Sequence, residues 1–148
     1  MNSMVLGFLF DFNDVLLIEK ARPNWQKGRL NGIGGHIEDG ESPIQAMIRE
    51  FKEETQYEFG NHWYNFGKMG CGTDWEVFLF SSISTSNFNE LNDRVIGDET
   101  LKVCSKDNLP VTVLPNLEWL IPMAHNSYTN QFLNENIFYS RIEYKEQT

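Results

Sequence analysis

The chain has 148 residues, a hydrophobic fraction of 41%, an aromatic fraction of 14% and a formal net charge of −9. That length suits one domain, residues 1–148, able to bury roughly two thirds of its unfolded surface without staples, and no biased tract suggests disorder away from the ends. The acidity excludes sequence-independent nucleic-acid binding, which draws its affinity from Lys and Arg on phosphates, and an anionic substrate would need a metal counter-charge.

The apolar run at residues 4–10 is stopped by Asp11, far short of a membrane span, and it lacks a basic leader. It reads as a strand, with a cytoplasmic protein as the default. Residues 4–12 and 14–20 are β-rich runs on either side of Asn13, the pattern of a hairpin. Residues 21–31 hold Pro23, Gly28 and Asn31 as breakers, so they form a loop, and its basic Arg22, Lys27 and Arg29 are candidates for holding phosphates. Trp25 in the same loop is a candidate for stacking on a base, against the plainer role of covering the core edge.

Gly32-Ile33-Gly34-Gly35 reads as a short strand whose glycines permit close approaches where it enters a ligand-facing loop. A helix follows. Ser42 is a good N-cap, Pro43 suits the first helical position, and Gln45 completes a capping box. Ile44, Met47, Ile48, Phe51 and Thr55 recur at the helical period and predict a stripe that packs on the sheet.

Residues 63–69 and 75–83 are rich in aromatic and β-branched side chains and read as strands joined by the turn Gly70-Cys71-Gly72-Thr73-Asp74. Residues 84–98, full of Ser, Asn and Asp, form the longest irregular stretch, where a substrate lid is often found. A short strand at residues 101–104 precedes Pro115-Asn116, which open a second helix. Its Leu117, Trp119, Leu120, Ile121, Met123 and Ala124 are too uniformly apolar for a surface helix, so it should be largely buried, and Pro122 predicts strain or a kink. Residues 136–144 alternate as a late strand with a part-solvated face, and an exposed late strand suits a homodimer. Cys71 and Cys104 lack metal-ligand spacing and read as structural thiols of a reducing compartment; His36, His62 and His125 share no ligand spacing either.

The chemistry gathers in the first helix and the loop before it, where Glu38, Asp39, Glu41, Glu50, Glu53 and Glu54 crowd together. Glu50, Glu53 and Glu54 stand at i, i+3 and i+4 and converge within an arc of roughly 100°. Like charges at that spacing destabilise a helix unless a cation neutralises them, and hard oxygen donors suit Mg²⁺ or Mn²⁺. Ala46, one turn earlier on the same face, leaves room for metal and substrate. Glu54 lies nearest the apolar stripe and should be the least hydrated of the three.

Gly35-x5-Glu41-x7-Arg49-Glu50-Phe51-x-Glu53-Glu54-x-Gln56-Tyr57 resembles the box of the Nudix (MutT-like) hydrolases, Gly-x5-Glu-x7-Arg-Glu-U-x-Glu-Glu-x-Gly-U with U bulky and apolar. One fixed position departs. Gln56 stands where the family has the glycine that supplies a left-handed helix end, and no carboxylate is lost. The resemblance implies an α/β fold, a sandwich with a mixed central sheet between helices. It implies Glu50, Glu53 and Glu54 as catalytic metal ligands, joined by the Gly34 carbonyl and by an acidic residue of a later loop, Glu99 ahead of Asp98 and Glu76. Glu41 and Arg49 then brace the loop, with Gly35, as structural parts of the box.

The implied reaction is attack of a metal-activated water on phosphorus, with Glu50 or Glu54 as base; the sequence does not choose between them. The segment Leu114-Pro115-Asn116-Leu117-Glu118-Trp119-Leu120 resembles the place where MutT-type members hold an Asn that hydrogen-bonds a purine. Asn116 is therefore a candidate base reader, although capping the second helix suits it equally. The leading expectation is hydrolysis of a nucleoside triphosphate, oxidised forms such as 8-oxo-dGTP included, to nucleoside monophosphate and pyrophosphate. The alternatives are an ADP-ribose or dinucleotide pyrophosphatase and a catalytically silent Nudix domain that senses nucleotides; the intact glutamates count against the last.

Overall fold

A computed structural model describes residues 1–58 and 62–146. Strands β1 (Asn2–Phe10) and β2 (Asp14–Glu19) form the expected hairpin, in which Asp11 accepts from the amides of Asn13 and Asp14 at 3.0 and 2.8 Å. The two strands pair only at Leu9–Leu16 and Phe10–Val15 and then part. Into the gap runs one further length of chain: β3 (Leu30–Asn31) pairs with β2 at Ile18 and Glu19, and β4 (Ile33–His36) pairs with β1 from Met4 to Gly7. Gly32 is the crossing point. A Cβ there would lie 2.8 Å from the Phe8 ring and 2.9 Å from the Gly7 carbonyl oxygen.

With β5 (Tyr64–Cys71), β6 (Trp75–Ile83), β7 (Val95–Ile96), β8 (Glu99–Ser105) and β9 (Ser140–Glu143), the order is β7-β8-β2-β1-β6-β5-β9. The sheet is mixed, because β1 runs parallel to β6 and β5 to β9 while the other pairs are antiparallel. Strand alternation divides the core in two. Val5, Leu9, Leu16 and Ile18 face α1 (Pro43–Thr55), packing with Met47 and Phe51. Leu6, Phe8, Phe10, Val15 and Leu17 face α2 (Leu117–Leu133), packing with Leu117, Leu120, Ile121 and Ala124. The result is the expected α/β/α arrangement.

Several expectations need correction. Ala46 is fully buried in the core beneath α1, so its small side chain lets the helix approach the sheet and does not open space over the carboxylates, while Ile48 is only half-buried at the margin. Residues 84–98 are not a free lid: a 3-10 turn at Asn89–Leu91 and strand β7 lie within them, and Phe88 and Leu91 are fully buried anchors. Helix α2 is not largely buried. Its buried positions are Leu117, Leu120, Ile121, Ala124 and Ser127, Trp119 is 41% exposed, and Pro122 faces solvent, where its missing amide costs the exposed Glu118 carbonyl one bond. The late strand is shorter than residues 136–144, because pairing with β5 begins only at Ser140. Cys71 and Cys104 are free and buried.

Candidate active site

Helix α1 is fixed at both ends. The Ser42 hydroxyl accepts from the Gln45 amide at 3.3 Å, and the Gln45 side chain accepts from the Ser42 amide at 2.9 Å, completing the capping box. At the other end Gln56 adopts φ 52° and ψ 35° and its amide bonds the Lys52 carbonyl. The left-handed stop that glycine would give cheaply is thus made by glutamine, and the helix does not run on.

Between these ends Arg49 organises the acidic cluster. Its Nε and Nη2 hold the two oxygens of Glu41 at 2.6 and 2.9 Å, its Nη2 also donates to the His36 carbonyl at 2.9 Å, and its Nη1 reaches Glu50 at 2.9 Å and Glu53 at 3.2 Å. The Glu41 carboxylate in turn accepts from the Glu38 amide at 3.0 Å. This bidentate bond to Arg49 holds the Glu41 carboxyl below its usual range. Arg49 therefore does more than brace the loop, because it also neutralises two of the clustered glutamates.

Glu50 lies against β4. A Cβ on Gly35 would stand 2.5 Å from its carboxyl carbon, so only glycine leaves space for that carboxylate. On Gly34 a Cβ would meet the Val5 carbonyl oxygen at 1.9 Å, so that glycine is demanded by the sheet. Burial raises the Glu50 carboxyl above its usual range, with Arg49 opposing and Glu53 adding. Glu53, by contrast, has its side chain 59% exposed.

Glu54 is the deepest of the three. Burial pushes its carboxyl up to about 8, opposed by Lys20 and by a backbone hydrogen bond with Gly34, and reinforced by Glu50 and Glu99. Its Oε2 is buried and has no hydrogen-bond partner. A buried carboxylate oxygen left unpaired costs free energy unless something binds there.

Glu99 lies at the start of β8, and its side chain is only 13% exposed. Its Oε2 accepts from the Ala21 amide at 3.0 Å and lies 3.4 Å from Lys20 Nζ. Asp98 instead pairs with Arg22 on the surface at 2.8 Å, and Glu76 is occupied by Ser3 at 2.7 Å and Lys68 at 3.5 Å. Lys20 is the functional candidate that sequence reasoning missed. A lysine closing a strand looks like a solvated end; only the return of β8 alongside β2 brings Glu99 to it.

The remaining candidates are dispersed. Trp25 is 72% exposed, Lys27 is exposed, and Arg29 donates to the Val113 carbonyl at 3.1 Å, which gives it a structural task. Asn116 occupies the N-cap position of α2 but makes no side-chain cap bond; its amide nitrogen lies 3.4 Å from the Tyr144 hydroxyl. His125 packs edge-on against Phe10, far from any other histidine in sequence, and burial holds its pKa down.

The orphaned, buried Glu54 oxygen beside Glu50 and Glu99 is hard-oxygen chemistry that suits a divalent cation. Among the described residues no three acidic, His or Cys side chains are already drawn together as a bound ion would hold them. Arg49 and Lys20 supply the positive charge instead.

Residues 2–121 match the NUDIX domain family. The chain belongs to the Nudix family. As a Nudix hydrolase it acts on nucleoside diphosphate-linked compounds, and the family generally uses divalent metals. Its fold is shared with a MutT protein from Bacillus halodurans, at 22% identity and TM-score 0.63 over 98% of this chain and 91% of that one. A NUDIX hydrolase from Nitrosomonas europaea is similar at 14% identity and TM-score 0.71, covering 98% and 79%. The NUDIX domain of Shewanella oneidensis NrtR, solved with ADP ribose, is similar at 16% identity and TM-score 0.67, covering 84% and 86%. No curated protein sequence matches this Nudix chain. No helix among the described residues is long and apolar enough to cross a membrane.

Proposed function

We propose that this Nudix hydrolase cleaves nucleoside triphosphates, oxidised purine forms such as 8-oxo-dGTP among them, to a nucleoside monophosphate and pyrophosphate. The observation that carries the reading is the Glu54 carboxyl, buried with an unpartnered oxygen among Glu50, Glu99 and the Gly34 backbone. Glu50, Glu53, Glu54, Glu99 and the Gly34 carbonyl would hold Mg²⁺ or Mn²⁺. When bound, such an ion lowers the pKa of water and neutralises charge on the phosphates.

The chain's own residues divide the remaining work. Glu54 and Glu50 stand side by side as the two candidate bases for the attacking water, and a bound cation would favour the ionised form that either needs to accept its proton. Arg49 keeps Glu50 and Glu53 oriented, and Glu41 keeps Arg49 in place. Lys20 offsets the negative charge beside Glu99. At the other end of the substrate, Asn116 makes no cap bond and its amide meets only the Tyr144 hydroxyl, which supports a role in reading the base, while Trp25, Lys27 and Arg22 line the exposed loop that follows Lys20 and would meet the outer phosphates or sugar. We place the whole chain in one such domain, since β9 completes the sheet beyond residue 121, and we place the protein in the cytoplasm, where two buried free thiols stay reduced.

ADP-ribose is the second reading, supported by the similarity to a domain solved with that ligand. The two readings differ in product. Incubation with Mg²⁺ and a panel of nucleotides and nucleotide sugars should release pyrophosphate from a triphosphate; release of AMP and ribose 5-phosphate from ADP-ribose would favour the second reading. If wild type and the Glu53→Gln and Glu54→Gln variants all hydrolyse nothing, the chain is a binding module.

A further inference from the structure

The sheet ends on β9, and among the described residues no strand pairs with its outer edge. Successive residues of a strand present their N–H and C=O to opposite edges. The Tyr144 amide donates to the Gly70 carbonyl at 2.8 Å, and the Ser140 carbonyl oxygen lies 2.5 Å from where a Gly67 Cβ would stand. Even-numbered residues therefore bond inward to β5, and the backbone groups of Arg141 and Glu143 point outward.

Both side chains are exposed and neither takes part in an ion pair among the described residues. Charged side chains usually protect an edge strand from pairing. Here their order makes one pairing favourable. If a second copy lies antiparallel with the two-fold axis through Ile142, Arg141 of each copy stands opposite Glu143 of the other, and each such pair exchanges both backbone bonds. Registers centred on Arg141 or on Glu143 instead place like charges face to face.

The approach to β9 removes the electrostatic obstacle to self-association. In a chain of net charge −9, residues 119–140 contain one formal charge, Glu135, and the segment just before β9 exposes Ile137 at 50% and Tyr139 at 49%. Two copies meeting along this edge bring few net charges together.

We propose that β9 is a homodimer edge, at which two copies extend the sheet antiparallel through paired Arg141 and Glu143. Analytical ultracentrifugation of the full chain should show a dimer in wild type. Arg141→Glu and Glu143→Arg should each weaken association about tenfold or more, since each reversal places like charges at both symmetric contacts. Mixing the two single variants should restore a dimer of wild-type strength, as should the double exchange, because the charges again oppose. Circular dichroism matching wild type shows that each variant is folded. A monomeric wild type, single variants that associate like wild type, or a mixture that stays monomeric would overturn the assignment.

Discussion

The two helices on opposite faces of the sheet are built to different standards. Helix α1 is capped by a reciprocal Ser42–Gln45 box, stopped by a left-handed Gln56 and tied across its middle by Arg49, so the carboxylates it carries are placed from three directions. Helix α2 begins without a side-chain cap, admits Pro122, and has no buried position after Ser127, leaving Phe132 80% and Leu133 55% exposed at its end. Local precision is concentrated where charges must be held at fixed positions; a helix that only closes a core is held well enough by Leu117, Leu120 and Ile121.

The sharpest way to break this contrast is at Glu54. Glu54→Gln should lower kcat by about 10²–10⁴-fold in a steady-state assay, the range for removal of a positioned acid–base group. Stability should respond differently. A carboxyl raised to about 8 in the folded state lets the unfolded state ionise first, so stability of the metal-free protein should fall as pH rises from about 4.5 to 8. Thermal melts across that window should flatten in Glu54→Gln, whereas the contribution of Glu41, whose pKa is lowered, lies below pH about 4.5 and should persist.

On α2 the largest cost should come from the inner face. Leu120→Ala, at a position with no exposure, should destabilise by about 2–5 kcal/mol in urea titrations, and its neighbour Trp119→Ala by less. The caps provide a smaller and more direct comparison. Ser42→Ala should cost about 1 kcal/mol, while Asn116→Ala should change stability little and show its effect in KM for the substrate. The smallest effect is a gain: Gln56→Gly should stabilise by up to about 1 kcal/mol, read as a raised Tm, because glycine takes the left-handed position without strain.

What the sequence disclosed follows from how local each feature is. The cap at Ser42 and Gln45 depends on neighbours within one helical turn and was readable from spacing, as was the place of Glu54 beside the apolar stripe, whereas the Gly34, Lys20 and Glu99 that surround it come from other parts of the chain. Ala46 was misread because its one-turn relation to Glu50 is visible in sequence while the sheet beneath it is not. Lys20 and the burial of Glu99 depend on a contact spanning most of the chain, made only when β8 pairs with β2. The polar composition of residues 84–98 hid the two anchors, Phe88 and Leu91, that pin that segment to the core.

The strand that crosses from β2 to β1 at Gly32 works as a ruler. Leu30 is registered against β2 and Gly34 against Leu6 of β1, so the number of residues between them is fixed at both ends. Loss of a single residue there would turn Ile33 out of the core and swing the Gly34 backbone away from Glu54, since side chains and carbonyls alternate with period two. Length variation in this protein is thus to be sought in the loops on either side of that strand, and the distance from the hairpin to the acidic helix is measured in whole residues.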